Sequence, residues 1–211
     1  MLKWGSRRAD GPQVAPAAPS APADAIVTTK VFQHFLTAVG HQPSPTLLDL
    51  GAVVGSNVSF FGERFACKLH VEDLYSDIEA HAQRGERAAM AKFLATRLTQ
   101  APDSIDGVLC WDVFDFLDRA AGLVLAARLA GMVRKGGALY ASFGTTAVEL
   151  KHYTKTVVVA EDTLKYRVSP ATLTPRTVLL TRDIIKMFDG LIVAEQVLLK
   201  SSTRETLFRR P

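Results

Sequence analysis

Short apolar runs alternate with stretches of helical periodicity along most of the chain. Between Val27 and Ala38 apolar side chains recur at helical spacing, and Gly40 follows as a stop signal. Beyond that helix, strands are predicted at 46–50, 68–74, 107–111 and 138–143, and helices at 57–65, 77–98 and 119–133. This alternation favours a parallel sheet with helices on both faces.

One strand of that sheet is harder to place. It is expected between Phe93 and Ala101, and Phe93-Leu94-Ala95 could form it. A helix is an equally good interpretation of the same residues, and Gly85 is a predicted break in the helical stretch before them.

The last third of the chain has a different pattern. Residues 156–160 and 164–168 flank the turn Glu161-Asp162, which predicts a hairpin. After a helix at 181–188, strands at 191–199 and 206–209 follow each other without a helix, so they must be antiparallel. The predicted fold is a doubly wound, mostly parallel seven-stranded sheet with an antiparallel last strand, in three α/β/α layers.

Composition indicates one folded domain with a tail. The chain has 211 residues, of which 48% are apolar and 22% charged, typical of a soluble globular protein. Residues 1–24 are rich in Ala and Pro and predict a flexible tail, with the folded domain at 25–211. The net charge is only +4, and much of the basic excess lies near the termini, so no nucleic-acid partner is expected.

The two cysteines and the apolar runs bear on the compartment. Cys67 and Cys110 lie in or beside apolar segments, where reduced, buried thiols are expected. No C-x-x-C spacing predicts a metal site. No apolar run approaches the roughly 20 residues of a membrane span, and no secretory signal is evident. The predicted location is the cytoplasm.

Acidic residues follow three of the predicted strands. Ligands of open α/β sheets bind outside the carboxyl ends of the strands. Asp73 lies about 20 residues beyond the first turn, which suits a carboxylate that accepts the hydroxyls of a ribose. Its neighbour Glu72 must point the other way, so only one of the two faces the ligand. For Asp112 the pattern fits ligand contact and helix capping alike.

The turn after the first of these strands contains two glycines. Asp49 is followed by Gly51 and Gly55, with Val53 at the alternate position between them. Asp49 could accept backbone N–H bonds within the turn, or meet a cationic amino group through water. The segment fits neither the dinucleotide-binding G-x-G-x-x-G pattern nor a phosphate-binding loop, and the chain lacks a G-x-S-x-G nucleophile turn.

Together these motifs resemble the class I S-adenosylmethionine-dependent methyltransferases, with a degenerate glycine motif. The resemblance spans roughly residues 25–210. Its carriers are Leu47-Leu48-Asp49-Leu50-Gly51-Ala52-Val53-Val54-Gly55, Val71-Glu72-Asp73-Leu74, the segment 106–117 with Trp111-Asp112-Val113, and the helix, glycine turn and strand at 129–139. The chain departs from the family at Val53, and it lacks a clear acid before Pro102, where Asp103 is the nearest candidate.

The resemblance implies roles for named residues. S-adenosylmethionine would be the cofactor, with Gly51 and Gly55 beside its methionine part and Asp73 on the ribose. Either Leu74 or Tyr75 would pack on the adenine, and Asp112 would lie near the sulfonium. Asp49 belongs to the same cofactor-binding set.

The implied reaction is methyl transfer, for which the cofactor carries the reactivity and no catalytic residue need be visible. Because the segment Asp112-Val113-Phe114 lacks an Asn/Asp-Pro-Pro-aromatic motif, a small-molecule acceptor is favoured over nucleic acid. His152 and Tyr153 are candidate bases, and the hairpin at 155–168 would shape acceptor choice. The alternative is a catalytically silent member that acts as a binding or scaffold module.

Overall fold

The computed structural model describes residues 25–211, which form two separate β-sheets and six α-helices. The strands are β1 (Ile26–Thr28), β2 (Thr46–Asp49), β3 (Lys68–Val71), β4 (Ile105–Trp111), β5 (Val133–Gly144), β6 (Glu149–Ala160), β7 (Thr163–Pro175), β8 (Ile192–Leu198) and β9 (Thr203–Arg209). The helices are α1 (Lys30–Val39), α2 (Gly55–Phe65), α3 (Leu74–Gln83), α4 (Met90–Arg97), α5 (Arg119–Met132) and α6 (Thr181–Met187). The predicted tail at 1–24 lies outside the described residues.

The larger sheet has six strands in the order β3-β2-β4-β5-β9-β8. Strands β3, β2, β4 and β5 are mutually parallel, while β9 runs antiparallel to both β5 and β8. The antiparallel last strand therefore agrees with the sequence prediction. Helices α1 and α2 pack on one face and α3 to α6 on the other, which gives the three expected layers.

The prediction of seven strands is wrong by one strand. Phe93-Leu94-Ala95 lies inside α4, so β3 forms the edge of the larger sheet. Met90 and Leu94 are the two buried residues of that helix, and their spacing of four places both on one face. A strand would place Lys92 on the same face, and Lys92 is exposed, so a helix is the element that buries this pair alone. The predicted break before it is present, since Gly85 adopts a φ of 71°.

The second sheet is antiparallel and has the order β1-β7-β6. Strands β6 and β7 form the predicted hairpin, but each is 12 or 13 residues long and extends well beyond 156–168. Val27 had been expected in the first helix and instead pairs with Leu164. The helix begins only at Lys30 because the Thr29 side chain accepts the N–H of Phe32 and caps it.

Two further findings concern the cysteines and the presence of membrane-spanning helices. Cys110 is buried, Cys67 is half-buried, and neither forms a disulfide. Within residues 25–211 no helix is long and apolar enough to cross a membrane. The cytoplasmic location stays a prediction.

Candidate functional site

The carboxyl ends of three neighbouring parallel strands, β3, β2 and β4, lie side by side and deliver the predicted acids. Backbone bonds continue the pairing just past the strands: the Glu72 N–H donates to Asp49 O at 2.8 Å, and the Leu50 N–H donates to Leu109 O at 3.0 Å. The segments that follow Asp49 and precede Asp73 are thus fixed to each other. The site is built where ligands of open α/β sheets bind.

Asp49 is buried, and one of its oxygens holds the turn. Oδ1 accepts the Gly51 N–H at 2.8 Å and the indole N–H of Trp111 at 2.6 Å. Among residues 25–211, Oδ2 has no hydrogen-bond donor. Burial raises the pKa of Asp49 to about 6, against the two hydrogen bonds, and the charge of Asp73 raises it further. The free oxygen is therefore the one that a cationic ligand group could meet.

Gly51 is required by a contact within the protein. A Cβ at this position would lie 2.6 Å from Cδ1 of Trp111 and 3.0 Å from Oδ1 of Asp49. Gly55 differs, since nothing lies within 4 Å of a Cβ placed there. Of the two glycines in the motif, only the second borders open space.

Val53 does not obstruct the turn. Its side chain is 64% exposed, and it is not among the residues with positive φ. The strain expected of a β-branched residue in a left-handed conformation is therefore absent. The turn leads into α2 at Gly55, and the residue before that helix, Val54, provides no side-chain cap. The first amides of α2 thus lack a side-chain acceptor.

Of the two acids after β3, Asp73 is the one nearer the turn. Glu72 turns away, since its carboxylate accepts Arg97 and Gln100, both at 2.6 Å. The Asp73 carboxylate caps α3 by accepting the N–H of Ser76 at 3.2 Å and its hydroxyl at 2.9 Å. The backbone on either side of Asp73 is bonded to the start of the glycine turn, since the Glu72 N–H donates to Asp49 O at 2.8 Å and the Leu74 N–H donates to Leu50 O at 3.0 Å.

The residues expected against an adenine are already packed. Leu74 is fully buried in the core on the α3 side of the sheet. Tyr75 is also buried, with its ring centroid 5.3 Å from that of Tyr153 and 5.8 Å from that of Phe116. Its hydroxyl donates to Asp112.

Asp112 follows β4 and is half-buried. Desolvation raises the pKa of Asp112, against the hydrogen bond from Tyr75. Asp112 does not cap the short 3₁₀ turn at Val113–Phe116 with its side chain. Of the two roles left open by the sequence, capping is thus not used, and the carboxylate instead accepts the hydroxyl of Tyr75 on α3.

The β6–β7 hairpin is tied down over the strand ends at two places. Asn57, in the first turn of α2, donates its side-chain N–H to Thr156 O and accepts the Val158 N–H, both at 2.8 Å. On the other side, Glu79 accepts the hydroxyl of Tyr153 at 2.7 Å and two bonds from Thr172.

The two predicted bases lie on this hairpin. Tyr153 has its hydroxyl occupied by Glu79, and burial together with that carboxylate raises the pKa of Tyr153. His152 is exposed and points to solvent. Neither arrangement prepares a group to accept a proton within the site.

The architecture was compared with known proteins. No protein-family model matches the chain, and no curated protein matches its sequence. Among solved structures, a protein from Pyrococcus horikoshii OT3 is 12% identical with a TM-score of 0.53, over 86% of this chain and 89% of that one. The 1,6-didemethyltoxoflavin-N1-methyltransferase of Burkholderia thailandensis, solved with 1,6-didemethyltoxoflavin and S-adenosylhomocysteine, is 13% identical with a TM-score of 0.53, over 85% and 76%.

A third structure, an S-adenosylmethionine-dependent methyltransferase from Mesorhizobium loti, is 12% identical with a TM-score of 0.51, over 84% of this chain and 98% of that one. The chain has the fold of the S-adenosylmethionine-dependent methyltransferases. At such low identities the likeness is one of fold.

Within this methyltransferase fold, three residues of the site were not predicted from the sequence as site residues. Trp111 was placed at the end of its strand beside Asp112 but was given no role, although a tryptophan at the end of a buried strand is a usable signal because its N–H needs a partner. Asn57 and Glu79 gave no such signal. Their partners lie 99 or more and 74 or more residues away, in a hairpin whose position the sequence does not reveal.

Proposed function

We propose that the chain binds S-adenosylmethionine at the carboxyl ends of β2, β3 and β4 and transfers its methyl group to a small-molecule acceptor. The observation that carries this proposal is that Asp49 and Asp73 lie at the carboxyl ends of neighbouring parallel strands, beside a turn whose Val53 is exposed. The fold, shared with a methyltransferase that holds S-adenosylhomocysteine, supports it.

The amino-acid end of such a cofactor carries an ammonium and a carboxylate, and the turn offers a partner for each. Oδ2 of Asp49 lacks a donor among the described residues and suits the ammonium. The start of α2 has no side-chain cap, so its amides and helix dipole suit the carboxylate. Gly55 leaves room for this approach because nothing occupies the space that a Cβ would fill.

The nucleoside end is assigned to the neighbouring strand. Asp73 would accept a ribose hydroxyl with the lone pairs that Ser76 leaves free. Leu74 is too deeply buried to present its side chain to a ligand, so its part in adenine binding is confined to the backbone. Asp112 would line the region between the ribose and the hairpin.

The bound cofactor would supply a methyl group on a sulfonium, ready for displacement by an acceptor lone pair. The chain's own residues would hold and align the reactants: Asp49 and Asp73 fix the cofactor, and the β6–β7 hairpin closes over the strand ends. A small-molecule acceptor is supported by that cover, since Asn57 and Glu79 clamp the hairpin close to the sheet.

Titration calorimetry with S-adenosylmethionine and S-adenosylhomocysteine tests the proposal. We expect binding by the parent protein and at least a tenfold loss in Asp73→Ala, because a charge-assisted bond to the ribose disappears. Asp189→Ala is the matched control, since that exposed aspartate follows α6 far along the chain. Absence of heat at millimolar ligand with folded protein would refute the proposal.

A second function, a silent binding module with the same fold, is favoured by one observation. The side chains expected to receive the adenine and sulfonium, Leu74, Tyr75 and Asp112, are already engaged with other parts of the protein. Turnover of any acceptor with labelled cofactor, lost in Asp73→Ala, would reject this alternative.

A further inference from the structure

Trp111 has an unusual backbone conformation for a bulky residue. Its φ is 50°, in the left-handed region that large side chains rarely adopt, and the residue is 3% exposed. Such a conformation at the end of a buried strand persists only where the surroundings hold it. The contacts of the indole ring show what that conformation achieves.

The indole is held by two aromatic rings and by a hydrogen bond at its nitrogen. Its ring lies 5.9 Å from the ring of Phe32 and 5.8 Å from that of Tyr140 between centroids. Its N–H donates to Oδ1 of Asp49 at 2.6 Å, and Gly51 is required to make room for its edge. The ring therefore has one orientation, and that orientation points its only donor at the acid of the turn.

We infer that Trp111 is a positioning residue, whose indole N–H holds Oδ1 of Asp49 so that Oδ2 faces a primary ammonium group of the ligand. This inference rests on the proposed function, since the ammonium in question belongs to the amino-acid end of the cofactor. Trp111 touches neither the ligand nor the transferred methyl group in this role. It acts through Asp49.

The ionisable groups near Asp49 determine how the hydrogen bond from Trp111 affects the ionisation of this carboxyl group. The ionisable groups that act on Asp49 or are affected by it are Asp73 after β3, Tyr75 on α3 and Cys110 on β4. The pKa values of the tyrosine and the thiol are raised well above their usual values, so both stay neutral near pH 7. Asp73 is the remaining charge, and it opposes ionisation of Asp49.

A donor on Oδ1 therefore favours the carboxylate form at near-neutral pH. Loss of the donor raises the pKa of Asp49 and frees the carboxyl group to rotate. An ammonium ligand needs the ionised form, so its affinity should increase as pH rises through about 6 and should do so at higher pH without Trp111.

The test measures binding of S-adenosylhomocysteine between pH 5 and 8 in a Trp4→Phe parent, where Trp111 is the remaining tryptophan. Trp111→Phe keeps an aromatic ring and removes the N–H. We expect the affinity of this variant for S-adenosylhomocysteine to be about tenfold lower at pH 6. The pH at which its affinity is half-maximal should rise by about one unit. In Asp49→Asn the pH dependence of binding should disappear.

A second measurement needs no substitution at Trp111 or Asp49. In the same parent, the single indole N–H resonance of Trp111 should shift with a midpoint near pH 6, as Asp49 ionises, and again when ligand is added. A resonance that shifts neither with pH nor on addition of ligand would overturn the inference.

The binding results separate the two proposals. If the parent binds and Trp111→Phe binds equally at every pH, Trp111 is structural and the inference is wrong. If Trp111→Phe binds more tightly, the ring covers the site instead of arranging it, and the inference is wrong again. If the parent itself fails to bind, the proposed function falls and the inference falls with it.

Discussion

The region at the carboxyl ends of β2, β3 and β4 has two halves. They differ in how many of their polar groups are hydrogen-bonded within the protein. In the open half, formed by Asp49, Val53, Gly55 and Asp73, Oδ2 of Asp49 has no donor from residues 25–211, and Val54 gives the start of α2 no side-chain cap. In the covered half, formed by Tyr75, Glu79, Asp112 and Tyr153, each carboxylate has partners from the chain. A ligand gains most affinity at a carboxylate that has no donor from the protein, because the ligand's own donors then displace only water.

The covered half is the product of the hairpin inserted between β5 and α6. Its strands contribute Tyr153 and Thr172, which both bond to Glu79. The open half consists only of the βα turns that any sheet of this type provides. The strand ends thus present an edge built from βα turns and, next to it, a part built by the hairpin.

The largest expected effect lies within the glycine turn. Gly51→Ala should destabilise the protein by about 3 kcal/mol, because its Cβ would overlap the Trp111 ring and crowd Asp49. Gly55→Ala should change the free energy of unfolding by less than about 0.5 kcal/mol, since its Cβ meets open space. Urea denaturation measures both. Equal losses in the two variants would show that the turn does not distinguish its glycines in this way.

The attachment of the hairpin at α2 comes next. Asn57→Ala should cost about 2 kcal/mol, because it leaves Thr156 O and the Val158 N–H buried without their partner. Ser59→Ala, an exposed change in the same helix, is the control and should lie within about 0.5 kcal/mol of the parent. Hydrogen exchange should quicken in β6 of the Asn57 variant and stay unchanged in β2. A uniform change across both sheets would contradict a local role.

The strand ends and the contact of Trp111 with Gly51 illustrate what the sequence could and could not reveal. The ends of β2, β3 and β4, with their acids, follow from local apolar runs and turn residues, and they were predicted to within a few positions. Trp111 over Gly51 was not predicted, because periodicity says which face a side chain occupies and not which neighbour it touches. The missing edge strand has a similar cause, since Met90 and Leu94 fit a helix only when the surface beneath them is known.

The bonds of Glu79 predict acid sensitivity of the covered half. Partial burial alone would raise the pKa of Glu79, but the bonds from Thr172 and Tyr153 lower it to about 2 from the ordinary 4.5. Its contribution to stability is therefore full above pH 4.5 and is lost as the pH falls from there towards 2. Unfolding by urea at several acidic pH values should show this loss in the parent and a flatter profile in Glu79→Gln. Identical slopes would exclude Glu79 as the source.

The smallest expected effect concerns Val53, the residue by which the turn departs from the glycine pattern of the methyltransferases that it resembles. Val53→Gly restores the alternate glycine, and it should lower stability by about 0.5 kcal/mol through added flexibility of the unfolded chain. Cofactor affinity should change less than twofold, because the valine is 64% exposed and its backbone already avoids positive φ. Calorimetry on the variant and the parent decides the point. A large gain in affinity would mean that the valine restricts cofactor access to the open half.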